Sequence, residues 1–182
     1  DLAWVVRSMI GRDSIESTAQ ELKKDEVVLQ IDHLNVVDPN NSARLAVENF
    51  SLKVNAGEIV CLYGQMGAGR TELLETLAGR LKEQSGEILL NGKSILNLNI
   101  GDRIKTGIAL VPEDRQKDGL VQLMTVGENI TIASIRDFVK NLFVRSANEV
   151  ESIEGKIKDV RVKTSSHKSL ITSLSGGNQQ KV

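Results

Sequence analysis

The sequence predicts an α/β fold built around a phosphate-binding loop, and three observations carry that prediction. First, the apolar run Ile59-Val60-Cys61-Leu62-Tyr63 leads into Gly64-Gln65-Met66-Gly67-Ala68-Gly69-Arg70-Thr71 and then Glu72-Leu73-Leu74-Glu75-Thr76-Leu77-Ala78. A short buried strand, a glycine-rich turn and a helix form the context in which a P-loop works. Second, alternating apolar and polar residues before this unit, with an Asn-Gly pair after it, predict an antiparallel β layer. Third, two capping-box patterns further on predict a helical subdomain at about residues 125–163.

Composition agrees with a soluble globular protein of one domain, or one domain with a flank. The chain has 182 residues and a net charge of −1, so no sign imbalance points to nucleic acid or acidic lipid. Only 3% of residues are aromatic, which leaves no evident platform for stacking bases. The single cysteine, Cys61, cannot form an internal disulfide and reads as a small buried hydrophobe in the predicted strand. No stretch approaches a membrane span and the start is not a signal peptide, so a cytoplasmic compartment is expected.

The elements follow in order. Residues 2–10 fit two helical turns stopped by Gly11, and residues 13–25 are polar and charged; 1–24 thus reads as the tail of a preceding domain and a linker, with one domain over 25–182. Val27, Leu29 and Ile31 alternate with polar residues, predicting a half-buried strand over 27–37. Asp38-Pro39-Asn40-Asn41-Ser42 reads as a loop, and a second strand is expected over 47–54. Leu73, Leu77 and Leu81, with Leu74 and Ala78, make an apolar stripe on the helix after the loop, and Gly79 is its expected terminator. Ile88-Leu89-Leu90, Asn91-Gly92 and Lys93-Ser94-Ile95 form a hairpin signal. A further short buried strand is expected over 108–111, ending at Pro112-Glu113-Asp114-Arg115. Thr125 with Glu128, and Ser146 with Glu149, fit capping boxes; the second opens a helix with Val150, Ile153, Ile157 and Val160 on one face.

The glycines of the loop let the backbone curl so that several N–H groups converge, and the positive end of the following helix adds to that anion site. Taken alone, the motif also fits a plain strand-to-helix turn. Leu174-Ser175-Gly176-Gly177-Asn178-Gln179-Gln180-Lys181-Val182 supplies a second glycine pair at a helix start. Alone it fits a serine-capped junction.

Together, and in this order, the two motifs resemble those of the ATP-binding cassette family. Gly67 to Leu73, Val111-Pro112-Glu113-Asp114-Arg115 with Asp118-Gly119-Leu120, and the closing segment are similar to the second cassette of bacterial monosaccharide importers, in which two cassettes share one polypeptide. The resemblance covers roughly residues 22–182. It implies an ABC-type P-loop NTPase with the C-terminal part of the core missing. It further implies ATP and Mg²⁺ as cofactors. Gly64, Gln65, Met66, Gly67, Ala68, Gly69, Arg70, Thr71 and Glu72 would form the nucleotide-binding set, with Thr71 on the metal. Ser175, Gly176, Gly177 and Asn178 would face the ATP of a second cassette packed head to tail. A membrane permease and, indirectly, a periplasmic sugar-binding protein are the other implied partners, with no nucleic acid. The implied location is peripheral, on the cytoplasmic face of the cell membrane.

Several positions depart from the family pattern. Arg70 replaces the usual lysine, and a planar guanidinium is not equivalent to an ammonium. Glu72 stands where catalytic cassettes carry a second hydroxyl, and Glu113 where a glutamine usually helps set Mg²⁺ and water. Glu113 is accordingly the candidate catalytic residue. Asn178 replaces the commoner glutamine. No aromatic for stacking adenine stands in 36–46, and the family's later aspartate, glutamate and histidine do not follow. The expectation is an ATP-binding subunit fragment of a sugar importer, coupling ATP binding and hydrolysis to uptake in the parent protein, with no hydrolysis by this chain alone. The alternative is a non-catalytic nucleotide-binding or interaction module.

Overall fold

The computed structural model describes residues 26–140, 143–144 and 146–182, with the side chains of 140–147 left aside. The predicted tail and linker at 1–24 lie outside the described residues. The chain divides into two compact units, Asp1–Ala109 and Leu110–Val182.

The first unit holds an antiparallel sheet of β1 (Val27–Asp38), β2 (Asn41–Asn55), β3 (Ser85–Leu90) and β4 (Lys93–Ser94), in the order β2-β1-β3-β4. The expected antiparallel layer is present. β1 bonds to β2 on one side and to β3 on the other, so it is the strand with most to bury. Ile31, Leu34 and Val36 are buried, a spacing strict alternation forbids. The phase changes at His33, whose φ is 48°, within a register shift between Ile31 and Leu34. Side chains take over where the ladder is interrupted: the His33 N–H donates to Ser51 Oγ at 2.9 Å, and the Asn49 N–H to Asn35 Oδ1 at 2.8 Å. Val47, Ile88, Ile95 and Leu73 complete the core.

α1 (Arg70–Ala78) lays Leu73 and Thr76 on that core. It starts two residues before the predicted Glu72. Leu74 is exposed rather than part of the buried stripe, and Thr76 is buried because its hydroxyl donates to the Glu72 carbonyl at 2.7 Å. Gly79 ends the helix as expected, with a left-handed φ of 83°. α2 (Ile100–Lys105) is capped by Asn99, whose side chain accepts from the Asp102 N–H.

Three strand expectations change. The loop expected at Asp38-Pro39-Asn40-Asn41-Ser42 shrinks to a two-residue turn, because the β1–β2 ladder runs out to Asp38 opposite Asn41 and Asp38 Oδ1 accepts from the Asn40 N–H at 2.8 Å. The run at 59–63 is not a strand. Ile59 and Tyr63 are each 96% exposed and Cys61 is exposed, against the buried reading. The run at 108–111 is likewise outside any ladder, with Val111 at 86% exposure. An apolar run is buried as a strand only when neighbours cover both its faces and both its edges. Among the described residues no strand pairs with either run; Leu62 and Ile108 alone lean on the core.

The second unit is helical, as expected: α3 (Val126–Thr131), α4 (Ile135–Phe138), α5 (Ser146–Asp159) and α6 (Gly176–Gln179), with a small ladder of β5 (Val139–Lys140) and β6 (Phe143–Val144). The Thr125–Glu128 capping box is formed in both directions. The side chain of Ser146 falls outside the described residues. Val126, Ile153, Val162 and Ile171 are buried, and the Val126 N–H donates to the Ser169 carbonyl at 2.9 Å, tying α3 to the segment before α6. Val160 lies beyond α5 and is exposed.

Candidate functional site

The glycine-rich turn in the first unit is folded tightly on itself. The Ala68 N–H donates to the Gln65 carbonyl at 3.1 Å, and a Cβ on Gly64 would lie 2.9 Å from that of Ala68. Gly67 and Gly69 hold φ values of 78° and 79°, which an L side chain adopts only under strain. The two glycines differ in what surrounds them. A Cβ on Gly69 would run into the Ala46 carbonyl oxygen of β2, whereas one on Gly67 would meet nothing within 4 Å. Gly69 is therefore required by the close approach of a strand, and Gly67 by backbone conformation alone.

Gly69 is also the N-cap of α1, and no side chain caps that end. The first-turn N–H groups have no acceptor within the helix itself. Arg70 and Thr71 are exposed beside them, with Gln65, Met66 and Ala68; Glu72 is half-buried. One cation enters from outside the motif: Arg44 Nη2 on β2 donates to the Gly67 carbonyl at 3.3 Å. Nothing local in the sequence marks Arg44, because the contact spans 23 residues. The turn thus sets a helix N-terminus and two guanidinium groups against the carboxylate of Glu72, chemistry suited to a polyanion.

The second unit carries the other sequence-predicted residues. Ser175 is the N-cap of α6, yet its side chain makes no capping bond to the helix, contrary to a plain serine-capped junction. Its Oγ instead lies 3.1 Å from Asn178 Nδ2, while Asn178 Oδ1 accepts from the Lys163 N–H at 3.0 Å. A Cβ on Gly177 would meet nothing within 4 Å; one on Gly176 would lie 2.8 Å from Arg115 Nη2. Glu113 is exposed and precedes a π-helical turn, Arg115–Gly119, that Asp114 caps through the Gln116 and Lys117 N–H groups. That turn is joined to α6 by Gln116 Nε2 donating to Gln179 Oε1 at 2.7 Å, and Gln179 Nε2 donates on to the Ile171 carbonyl at 3.2 Å. Arg115 Nε is buried without a hydrogen-bond partner. The structure therefore brings Gly64 to Glu72 together in one unit; in the other, the turn that follows Glu113 is bonded to the helix that carries Gly176 to Asn178. Gln116 and Gln179 were not singled out by the sequence, since a glutamine pair 63 residues apart leaves no periodic or motif signal.

A family model described as "ABC transporter" matches residues 47–182. Among curated proteins, the ribose import ATP-binding protein of Rhodopirellula baltica is 39% identical over 98% of this chain and 35% of its own length. The xylose import ATP-binding protein of Ralstonia nicotianae is 38% identical over 100% of this chain and 36% of its own length. The chain thus spans about a third of the curated relatives it matches. Among solved structures, a dimeric ATP-binding cassette, MJ0796, in a post-hydrolysis state with ADP and Pi, superposes with a TM-score of 0.66 at 18% identity, over 84% of this chain and 66% of that one. The cbiO1 protein of Clostridium perfringens, part of the cbiONQ ABC transporter complex, superposes with a TM-score of 0.62 at 19% identity, over 86% and 59%. At those identities the superpositions speak to the fold.

Proposed function

The chain belongs to the ABC transporter family, and on that premise we propose that it is the ATP-binding part of an energy-coupling subunit of a sugar importer. The observation that carries this reading is the turn from Gly64 to Thr71, where left-handed glycines deliver the chain into an uncapped helix start flanked by Arg70 and Arg44. Its donors suit the β- and γ-phosphates of ATP, with Gly64, Gln65, Met66, Gly67, Ala68, Gly69 and Arg70 around them, and Thr71 offers a hydroxyl to Mg²⁺. The exposed first turn fits such a group. Glu72 opposes the charge of a phosphate, so tight binding relies on Mg²⁺ and the two guanidinium groups. The names of the relatives support ribose or xylose import as the class of process; the sugar is chosen elsewhere in such a transporter.

Ser175, Gly176, Gly177 and Asn178 form the surface offered to ATP held by a second cassette, and Glu113 is the group we assign to water or metal near the phosphate. The open space beside Gly177 supports this, since a ligand approaching the backbone there meets no side chain. Such a subunit works at the cytoplasmic face of the membrane against a permease, with a sugar-binding protein acting through that permease. No helix among the described residues is long and apolar enough to cross a membrane.

Titration calorimetry with Mg-ATP tests the reading. The expected result is a saturable isotherm weakened by about 1–3 kcal/mol in Arg70→Ala, the range of charge-assisted hydrogen bonds. Equal affinity in that variant removes Arg70 from the phosphate site; absence of binding by the parent chain refutes the assignment of the turn.

A further inference from the structure

We propose that Asn178 is a positioning residue that sets the direction of the Ser175 hydroxyl proton. Donor and acceptor bookkeeping carries the inference. The Lys163 main-chain N–H can only donate, so the atom it meets at 3.0 Å must be the amide oxygen of Asn178. That contact fixes which way round the amide sits. The other end, Nδ2, has only protons to give, and it lies 3.1 Å from Ser175 Oγ. Ser175 is thereby the acceptor in this pair, and its own proton is not consumed by Asn178. Nor does the hydroxyl serve the helix, since Ser175 makes no side-chain cap to α6. The proton is left to donate outward.

The anchor is itself held. Lys163 follows Val162, which is buried, and Lys181 Nζ donates to the Arg161 carbonyl at 2.8 Å, a second stitch between the α5 exit and the segment after α6. The orientation of the amide is therefore imposed by a packed neighbour rather than chosen by a free side chain. The inference rests on the reading that Ser175 faces a phosphate of the partner's ATP. A phosphate oxygen accepts only, so a serine whose proton were spent internally would present a lone pair to an anion. Asn178 prevents that arrangement.

An aspartate at this position makes the opposite demand. It keeps an acceptor for the Lys163 N–H but offers an acceptor to Ser175 as well, which turns the hydroxyl proton inward. An alanine removes the anchor but leaves the hydroxyl able to rotate. A merely structural role ranks Asn178→Ala as the worse change; the proposed role ranks Asn178→Asp as worse.

The experiment measures kcat and KM for ATP hydrolysis by the assembled two-cassette protein carrying Ser175→Ala, Asn178→Asp, Asn178→Ala and the double variant Ser175→Ala/Asn178→Asp, with thermal melting of each as a folding control. Expected is a fall in kcat of roughly tenfold to a hundredfold for Ser175→Ala, the scale of one hydrogen bond to a charged group. Asn178→Asp should match it and Asn178→Ala should lose less. The double variant should be no worse than Ser175→Ala alone, because the two changes remove one interaction. If Ser175→Ala is without effect, the reading of the serine falls and this proposal falls with it. If Ser175→Ala acts but Asn178→Asp is milder than Asn178→Ala, the reading stands and the proposal is overturned. It is equally overturned if Asn178→Asp adds its full loss on top of Ser175→Ala, which marks simple charge repulsion.

Discussion

Arg103 on α2 reaches the last turn of α1 and donates through Nη1 to the carbonyl of Thr76 at 2.6 Å. The same nitrogen reaches the Leu77 carbonyl at 3.0 Å, while Nε serves that of Leu98 at 3.1 Å. The side chain is buried, and desolvation draws its pKa below the usual arginine range, yet the guanidinium remains charged at any working pH. It gives the carbonyls at the C-terminus of α1 a side-chain partner, which no side chain gives the N–H donors at the other end, beside the Gly79 N–H that also reaches the Thr76 carbonyl.

Replacing Arg103 with methionine keeps most of the volume and removes the guanidinium bonds to the Thr76, Leu77 and Leu98 carbonyls, of which the Thr76 carbonyl keeps the Gly79 N–H. The expected loss is about 3 kcal/mol, from removing several charged hydrogen bonds at one buried side chain. Urea unfolding followed by circular dichroism checks it; a loss below the error of the measurement contradicts the capping role.

Gly69→Ala and Gly67→Ala share a backbone conformation but not an environment. Each adds about 1–2 kcal/mol for a Cβ at positive φ. Gly69→Ala must in addition move the Ala46 carbonyl or the loop. Thermal melting should therefore rank Gly69→Ala clearly below Gly67→Ala, and equal melting temperatures reject the close approach of β2 to the turn.

Glu128 receives the Thr125 main-chain N–H and hydroxyl on its carboxylate, both at 2.8 Å, and these bonds hold its pKa below the ordinary value. A carboxyl whose folded pKa is depressed stabilises the fold above its unfolded pKa and loses that contribution as pH falls through the folded one. The capping box should thus weaken below the ordinary glutamate range of about 4.3. An NMR titration should place the Glu128 midpoint lower than that range, and Thr125→Val should return it upward. A midpoint unmoved by that substitution refutes the cause given.

Much of the antiparallel layer, and the turns and helix starts on which the two glycine motifs sit, are legible because their signals are local. Asn91-Gly92, with φ values of 49° and 73°, turns β3 into β4 as the pair predicts. Gly79 and the Thr125 box end and start helices where their chemistry says they should. What escaped was nonlocal. The phase change at His33 is imposed by neighbours on both sides of β1. Arg44 and Gln116 act across 23 and 63 residues. The runs at 59–63 and 108–111 have the composition of interior strands, and composition cannot reveal whether a neighbour stands beside them. The direction of the amide of Asn178 is a property of the Lys163 main chain, which no side-chain pattern records.

The bare run from Ile59 to Tyr63 has a consequence for handling the protein. Among the described residues it pairs with no strand and exposes Ile59 and Tyr63, and an exposed apolar run of that kind is a surface on which another copy can settle. The colloidal ceiling of the chain should rise when a lysine replaces Ile59, whose side chain packs against nothing that its loss would disturb.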